Sequence, residues 1–292
     1  MRYYTYFPGC SSAHGGAKAY DLSAQAVAQA LDIELIELED WNCCGSTPYT
    51  SVDELASYCC SARNLALAEK RGFELVTPCS ACYVVLNRTN SALKEYPETK
   101  AKVDEALAAG DLKYHGTVKV RHLLDALAND FSRDQITSKV KVDIGGLKVA
   151  PYYGCQVVRP GPGFDHPEFP LSLDRLIESL GAEATPFPLK ARCCGGSLII
   201  PEEDLALELI YKLLSNASSN GAECIVTVCP LCQTNLDAYQ GRINKKFKTS
   251  FNLPILFFTQ LMGLAFGVEN KALGLEKCVI PADKVLARYA TK

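Results

Sequence analysis

The chain has 292 residues, 48% hydrophobic and 22% charged, with a formal net charge of -3. That is enough apolar material for one large core or two ordinary ones, and the lack of an overall basic field speaks against nucleic acid as a partner. Its fourteen cysteines would suit a disulfide scaffold in a short secreted protein, but the first ten residues lack a charged segment followed by an apolar one. A reducing cytoplasm follows, where clustered thiols bind metal or do redox chemistry.

In chain order, Tyr3 to Phe7 is an aromatic, β-prone run stopped by Pro8-Gly9, which places Cys10 at a strand end, with residues 11–16 as a loop. Residues 17–31 read as a helix and Ile33 to Leu38 as a strand that delivers Cys43 and Cys44 to its far end. Residues 52–70 read as a helix and residues 73–77 as a buried strand, after which Cys79-Ser80-Ala81-Cys82 opens a helix to about Tyr96. Residues 118–131 look like a further helix capping this half, and the polar stretch 132–143 is the expected linker.

The pattern then restarts. A strand over 147–153 leads to Cys155, a helix covers 171–180, and a strand near 183–187 reaches Cys193 and Cys194. Helix 201–216 and strand 223–228 follow, ending at Cys229 and Cys232. Strands alternating with helices imply right-handed crossovers and a parallel sheet, with binding groups at the carboxyl ends of the strands. The most apolar window, 253–268, is broken by Thr259 and Gln260 and is too short to cross a bilayer, so it reads as a core strand and helix.

Cys43, Cys44, Cys79 and Cys82 recur at Cys193, Cys194, Cys229 and Cys232 with an offset of 150, while Cys10 and Cys155 are offset by 145. The chain therefore divides into an N-terminal domain, 1–140, and a C-terminal domain, 141–292, of one α/β class: two similar Rossmann-like halves related by an internal pseudo-two-fold repeat. Cys-x-x-Cys is a usual half of a zinc site, so zinc in one half or both is the competing reading. Five thiolates per half exceed the need of one tetrahedral zinc, and ligands arriving from several directions suit an iron–sulfur cluster. Backbone N–H groups at a helix start would stabilise thiolates and cluster sulfurs, and Gly45, Gly195 and Gly196 would let the backbone pass close to a bulky group.

The phrases Phe7-Pro8-Gly9-Cys10, Trp41-Asn42-Cys43-Cys44-Gly45, Tyr152-Tyr153-Gly154-Cys155 and Phe257-Phe258-Thr259-Gln260-Leu261 resemble the CCG-domain family, most closely the heterodisulfide reductase B-like proteins. The resemblance spans nearly the whole chain. It implies tandem CCG domains with a noncubane [4Fe-4S] cluster on Cys10, Cys43, Cys44, Cys79 and Cys82 and another on Cys155, Cys193, Cys194, Cys229 and Cys232. It further implies a catalytic subunit of a heterodisulfide reductase-like complex that reduces or forms a disulfide between the clusters in two one-electron steps.

Electrons would come from an iron–sulfur ferredoxin-like subunit and a flavin-containing subunit, since no Gly-x-Gly-x-x-Gly opens a helix here. The alternative is a CCG-type component of a succinate dehydrogenase or fumarate reductase-like complex that passes electrons to quinone or thiols. That role adds peripheral contact with the inner face of the membrane to a cytoplasmic location, without a transmembrane span.

His14 is the candidate proton donor to a leaving thiolate, against a loop histidine bonded to backbone. Lys190, Arg192 and Arg159 are candidates to steer an anionic disulfide toward the second half, against a solvated surface. His166 follows Cys155 in a loop, residues 159–163 read as a rigid turn, and His115 and His122 are expected to be solvated near the linker. Cys59 and Cys60, within helix 52–70, are read as small apolar side chains, and Cys224 in a strand and Cys278 in a tail of mixed polarity lie outside the repeat and the metal site.

Overall fold

Strand β1 (Arg2–Tyr6) is followed by a short helix α1 (Gly9–Ala13), helix α2 (Lys18–Ala30) and strand β2 (Ile33–Glu37). Helices α3 (Tyr49–Val52) and α4 (Glu54–Arg71), strand β3 (Leu75–Thr77), helices α5 (Ser80–Glu95) and α6 (Pro97–Ala108), strand β4 (Val120–His122) and helix α7 (Leu123–Asn129) complete the first half. Helix α4 shows how local chemistry sets its ends. The Asp53 side chain accepts from the Ala56 N–H at 2.9 Å at its start, and Gly72 at φ 76° closes it behind Lys70 and Arg71.

The second half follows the same order. After α8 (Arg133–Thr137) come β5 (Lys148–Tyr152), α9 (Ser172–Ser179), β6 (Glu183–Ala184), α10 (Glu203–Ser219), β7 (Cys224–Thr227), α11 (Pro230–Ala238), α12 (Gln240–Phe247), β8 (Ile255–Phe257) and α13 (Phe258–Ala265). The computed structural model describes residues 1–46, 49–159 and 163–289.

Two four-stranded parallel sheets result, ordered β2-β1-β3-β4 and β6-β5-β7-β8. Equivalent registers recur: Thr77 pairs with His122 at the β3–β4 edge, and Thr227 with Phe257 at the β7–β8 edge. In each sheet the order reverses beside the first strand, so neighbouring carboxyl ends form a crevice there.

Each sheet is covered on both faces, as parallel sheets require. The outer face of the first packs on α4, α5 and α6 through Leu65, Leu86, Leu93 and Val103, and that of the second on α10 to α12 through Leu207, Ile210, Leu214 and Ile243. The inner faces share one core built from α2, α7, α9 and α13, in which Tyr20, Val27, Leu123, Leu176, Phe257 and Met262 are buried together. Across it α2 packs on α13 and α7 on α9. Because α2 and α9 follow equivalent strands, as do α7 and α13, these two contacts are exchanged by the internal two-fold relation.

Four expectations change. Residues 118–131 are not one helix: Val120 to His122 form β4, and only then does α7 begin. The reason is Arg121, which β4 carries into the interior. It is 6% exposed and bonds Asp125 at 2.6 Å, Asp130 at 2.7 and 2.9 Å, and Glu74 at 3.0 Å, a charge network that a polarity pattern reads as surface. The loop expected after Cys10 starts as helix α1 and takes in Cys10 itself.

The expected linker is docked rather than free. Ser132 and Gln135 form a reciprocal cap on α8, Ile136 is buried, and the N–H groups of Lys141 and Val142 donate to the Ala265 carbonyl at 2.8 and 3.0 Å. Finally, the helix expected from residue 52 begins at Glu54, behind the separate turn α3. The apolar window 253–268 forms β8 and α13 as expected.

Candidate functional site

All three cysteine groups of each half follow the carboxyl ends of three adjacent strands. In the first half Cys43 and Cys44 follow β2, Cys10 follows β1, and Cys79 with Cys82 follow β3. In the second, Cys193 and Cys194 follow β6, Cys155 follows β5, and Cys229 with Cys232 follow β7. The inner sulfurs meet: Cys44 Sγ lies 3.3 Å from Cys82 Sγ, and Cys194 Sγ 3.5 Å from Cys232 Sγ. Every cysteine is a free thiol, with Cys10, Cys43 and Cys193 exposed and Cys44, Cys79, Cys82, Cys194, Cys229 and Cys232 buried.

The glycines that make this convergence fit are Gly9 and Gly154. Both have φ of 72°, and a Cβ on them would stand 2.9 Å from Cys82 Sγ and 3.0 Å from Cys232 Sγ. Only a residue without a side chain lets the Gly-Cys turn close over the buried thiol. The glycines after the paired cysteines do something else. Gly45 packs on the Ser57 backbone and Gly195 on Ala206, so both bring a helix close to the chain, and a Cβ on Gly196 would meet the Leu231 side chain and, at 3.5 Å, Cys194 Sγ.

Crowded thiols divide their protons. Cys44 is held well below the usual thiol range by hydrogen bonds from Cys43 and Cys82, while Cys82 is pushed well above it. In the second half a hydrogen bond from Cys155 lowers Cys193 to about 6, helped by the Gly195 and Gly196 N–H groups, and Cys232 lowers Cys229 to about 7, helped by the N–H groups opening α11. Among the described residues no three His, Cys, Asp or Glu side chains are grouped to hold a single metal ion.

The surrounding candidates separate. His14 is exposed, lines a cavity of about 550 Å³ with Cys10, Cys43 and Trp41, and stacks on Trp41 at 5.6 Å and 17°. Arg159 and Arg192 line an equivalent cavity of about 460 Å³ with Cys155, Cys193, Leu189, Ala191 and Lys212. Arg192 has no ion-pair partner among the described residues, while Arg159 donates to the Pro167 carbonyl at 2.9 Å and lies 3.4 Å from Glu168.

Lys190 does not join this cavity: it is paired with Asp174 at 2.9 Å beneath Tyr153. His166 Nδ1 accepts from the Glu168 and Phe169 N–H groups and shapes its own loop, and His115 pairs with Glu69 at 2.9 Å. Within the turn expected over 159–163, residues 160–162 lie outside the described residues.

His122 overturns its expectation. Far from solvated, it is fully buried at the end of β4, and burial lowers it to about 4. Its Nδ1 accepts from the Leu124 N–H at 3.1 Å, so the hydrogen sits on Nε2, which has no partner in bonding geometry beside the backbone of Val228 and Pro78. Tyr20 and Ser80, which the sequence reading passed over, meet the same place: Tyr20 OH donates to the Val228 carbonyl at 3.1 Å and Ser80 Oγ lies 3.4 Å from it. Ser80 is visible in sequence as the residue inside Cys79-x-x-Cys82; Tyr20 has no such signal.

With this geometry in hand, comparisons place the chain. The CCG cysteine-rich domain model matches residues 4–87 and again 149–237. The chain is 38% identical over 97% of its length to the 8-methylmenaquinol:fumarate reductase membrane anchor subunit of Wolinella succinogenes, of which it covers 98%. It is 32% identical over 98% of its length to a heterodisulfide reductase B-like protein of Archaeoglobus profundus, of which it covers 97%.

It is also 31% identical over 89% of its length to the B component of the ferredoxin/F(420)H(2)-dependent CoB-CoM heterodisulfide reductase of Methanosarcina acetivorans, of which it covers 88%. A crystal structure of a hypothetical protein from Helicobacter pylori superposes with a TM-score of 0.78 over 96% of this chain at 18% identity, a likeness of fold; this chain spans 52% of that one. No helix among the described residues is long and apolar enough to cross a membrane. The chain belongs to the CCG cysteine-rich domain family, in tandem form, with heterodisulfide reductase B-like proteins among its relatives.

Proposed function

We propose that the protein is the disulfide-handling subunit of a heterodisulfide reductase-like complex, with one noncubane [4Fe-4S] cluster on Cys10, Cys43, Cys44, Cys79 and Cys82 and a second on Cys155, Cys193, Cys194, Cys229 and Cys232. The observation that carries this reading is the equivalent convergence of five thiols on three strand ends in each half, with Gly9 and Gly154 leaving no Cβ beside Cys82 and Cys232. Five thiols in each half exceed the four ligands of one tetrahedral zinc and suit a multi-iron group better. When bound, the clusters supply single electrons at each sulfur of a disulfide, in the overall reaction RSSR′ + 2 e⁻ + 2 H⁺ → RSH + R′SH.

The chain's own residues do the rest. Arg192 and Arg159 draw an anionic substrate to the Cys155–Cys193 side, where Leu189 and Ala191 exclude water from an apolar arm. His14, open to solvent beside Cys10 and Cys43, is placed to pass a proton to a departing thiolate. Electrons would arrive from a ferredoxin-like iron–sulfur subunit and a flavin subunit. Domain limits at 1–140 and 141–292 and a cytoplasmic location belong to the same reading.

Near-full-length identity with a fumarate reductase membrane anchor subunit supports the second reading, a component passing electrons between iron–sulfur centres and quinone or thiols at the inner face of the membrane. Metal analysis with electron paramagnetic resonance on anaerobically purified protein tests the cofactor: iron with two paramagnetic centres is expected, and zinc without iron overturns it. Partition of the native complex separates the readings, a soluble complex with flavin favouring the first and membrane association the second.

A further inference from the structure

The two helix pairs that join the halves, α2 with α13 and α7 with α9, are exchanged by the internal two-fold, yet one is filled and the other is hollow. Ser23 and Ser172 are counterparts, each eight residues before the C-cap of its helix, Leu31 for α2 and Leu180 for α9. Ser23 Oγ meets Thr259 Oγ1 of α13 at 2.6 Å. Thr259 stands two residues after Phe257 of β8, and the residue two after His122 of β4, the counterpart of Phe257, is Leu124. Leu124 offers no hydroxyl, and Ser172 Oγ is buried without a hydrogen-bond partner among the described residues.

The space beside the two pairs differs as well. At α2 and α13 the chain packs on itself, with the fully buried Leu273 against Gly263 and Gly274 against Ala19. At α7 and α9 a cavity of about 190 Å³ remains, with Ser172 in its wall. Leu127, Ile136 and Leu176 give it a buried apolar floor, and Phe164 closes one side. Arg133, at the start of α8, and Arg175, on α9, line it from the exposed side, and neither has an ion-pair partner among the described residues. Asp165 also lines the cavity, but its oxygens accept from the N–H groups of His166, Leu171 and Ser172 at 2.7, 2.9 and 2.7 Å. Unpaired guanidiniums beside an apolar floor select a ligand with an anionic head and an apolar body. A dry apolar cavity of about 150 Å³ takes benzene, which sets the size of that body.

We propose that the cleft between α7, α8 and α9 is a binding site for a small carboxylate whose apolar body is about the size of a benzene ring. Arg175 and Arg133 hold the carboxylate, and the body rests on Leu127, Ile136 and Leu176. The ligand touches α7 and α8 on one side and α9 on the other, so it fastens the first half to the second at the helix pair that the chain leaves hollow. None of the ten repeated cysteines lines this cavity, so the site stands apart from whatever they bind.

The test is isothermal titration of the anaerobically purified whole chain with benzoate, and with acetate, benzyl alcohol and inorganic phosphate for comparison. Benzoate should bind with 1:1 stoichiometry and raise the melting temperature. Acetate lacks the body and benzyl alcohol lacks the charge, and each should bind at least about tenfold more weakly. Arg175→Gln, a change at an exposed position that leaves the fold intact by thermal unfolding, should weaken benzoate about tenfold, and Arg133→Gln should weaken it by less. Ala128→Leu fills the cavity from α7 without touching a charge and should abolish benzoate binding. No saturable benzoate binding, equal affinity in wild type and Arg175→Gln, undiminished binding by folded Ala128→Leu, or tighter binding of phosphate or acetate than of benzoate overturns the proposal.

Discussion

The two thiol cavities stand at equivalent places and share their thiols and adjacent glycines, but differ in the side chains that wall them. In the first, Trp41 fills the wall: it packs edge-on against Phe7 at 5.4 Å, stacks on His14, and donates from Nε1 to Glu37 at 3.0 Å. Its acidic neighbours Glu39 and Asp40 are ion-paired to Arg71 and Arg63. In the second, Ala191 stands where Trp41 does, Arg192 where Asn42 does, and Arg159 where His14 does, giving an apolar wall with unbalanced positive charge. Duplication has kept what a shared cofactor would need and changed what approaches it: the first cavity is walled by an aromatic ring and acidic residues, the second by apolar residues and cations.

The two halves are separated most strongly by removing a buried thiol from one at a time. Cys44→Ser and Cys194→Ser should each lose about half of the iron and one paramagnetic centre, and loss of both centres from either change would show that the halves do not assemble independently.

Next in size is His122, whose place in the second sheet is taken by Phe257. Its folded-state value is depressed to about 4, so it is neutral and stabilising above about 6.5, and that contribution is lost as pH falls from about 6.5 through about 4. Wild type should lose about 3 kcal/mol over that window, measured by denaturant unfolding, and His122→Phe, which makes the first half like the second, should remove this part of the pH dependence. Equal slopes in both proteins would discard the assignment.

Gly154→Ala adds a Cβ 3.0 Å from Cys232 Sγ at φ 72° and should cost about 2 kcal/mol, as should Gly9→Ala. A large effect at one glycine alone would mean that only one turn closes tightly over its thiol. The smallest expected effect is at Arg192. Its replacement by Ala should raise KM for an anionic disulfide about tenfold, roughly 1.4 kcal/mol, whereas Asn42→Ala at the equivalent position should not. An unchanged KM removes Arg192 from substrate steering.

Most of the strand-and-helix alternation was legible because buried parallel strands and amphipathic helices have distinct periods. Where reading failed, local composition and tertiary environment disagreed. The Lys119-Val120-Arg121-His122 run looks like polar helix, yet Arg121 is neutralised by Asp125, Asp130 and Glu74, and His122 is fully buried. Lys190 looks like a free cation beside the paired cysteines, but Asp174, sixteen residues earlier, holds it on α9. The close approach of Gly9 and Gly154 to Cys82 and Cys232 has no local signal, because those cysteines lie more than 70 residues further along the chain.

The duplication, the thiols at strand ends and the α/β class are written in the chain, because covalent spacing and hydrophobic period are local properties. The packing of α2 on α13 and of α7 on α9 around a single shared core emerges only on folding. So does the meeting of Tyr20 and Ser80 with Val228, 208 and 148 residues away. Contacts at such separations leave no mark in local pattern, since they are selected by the packing of two finished sheets.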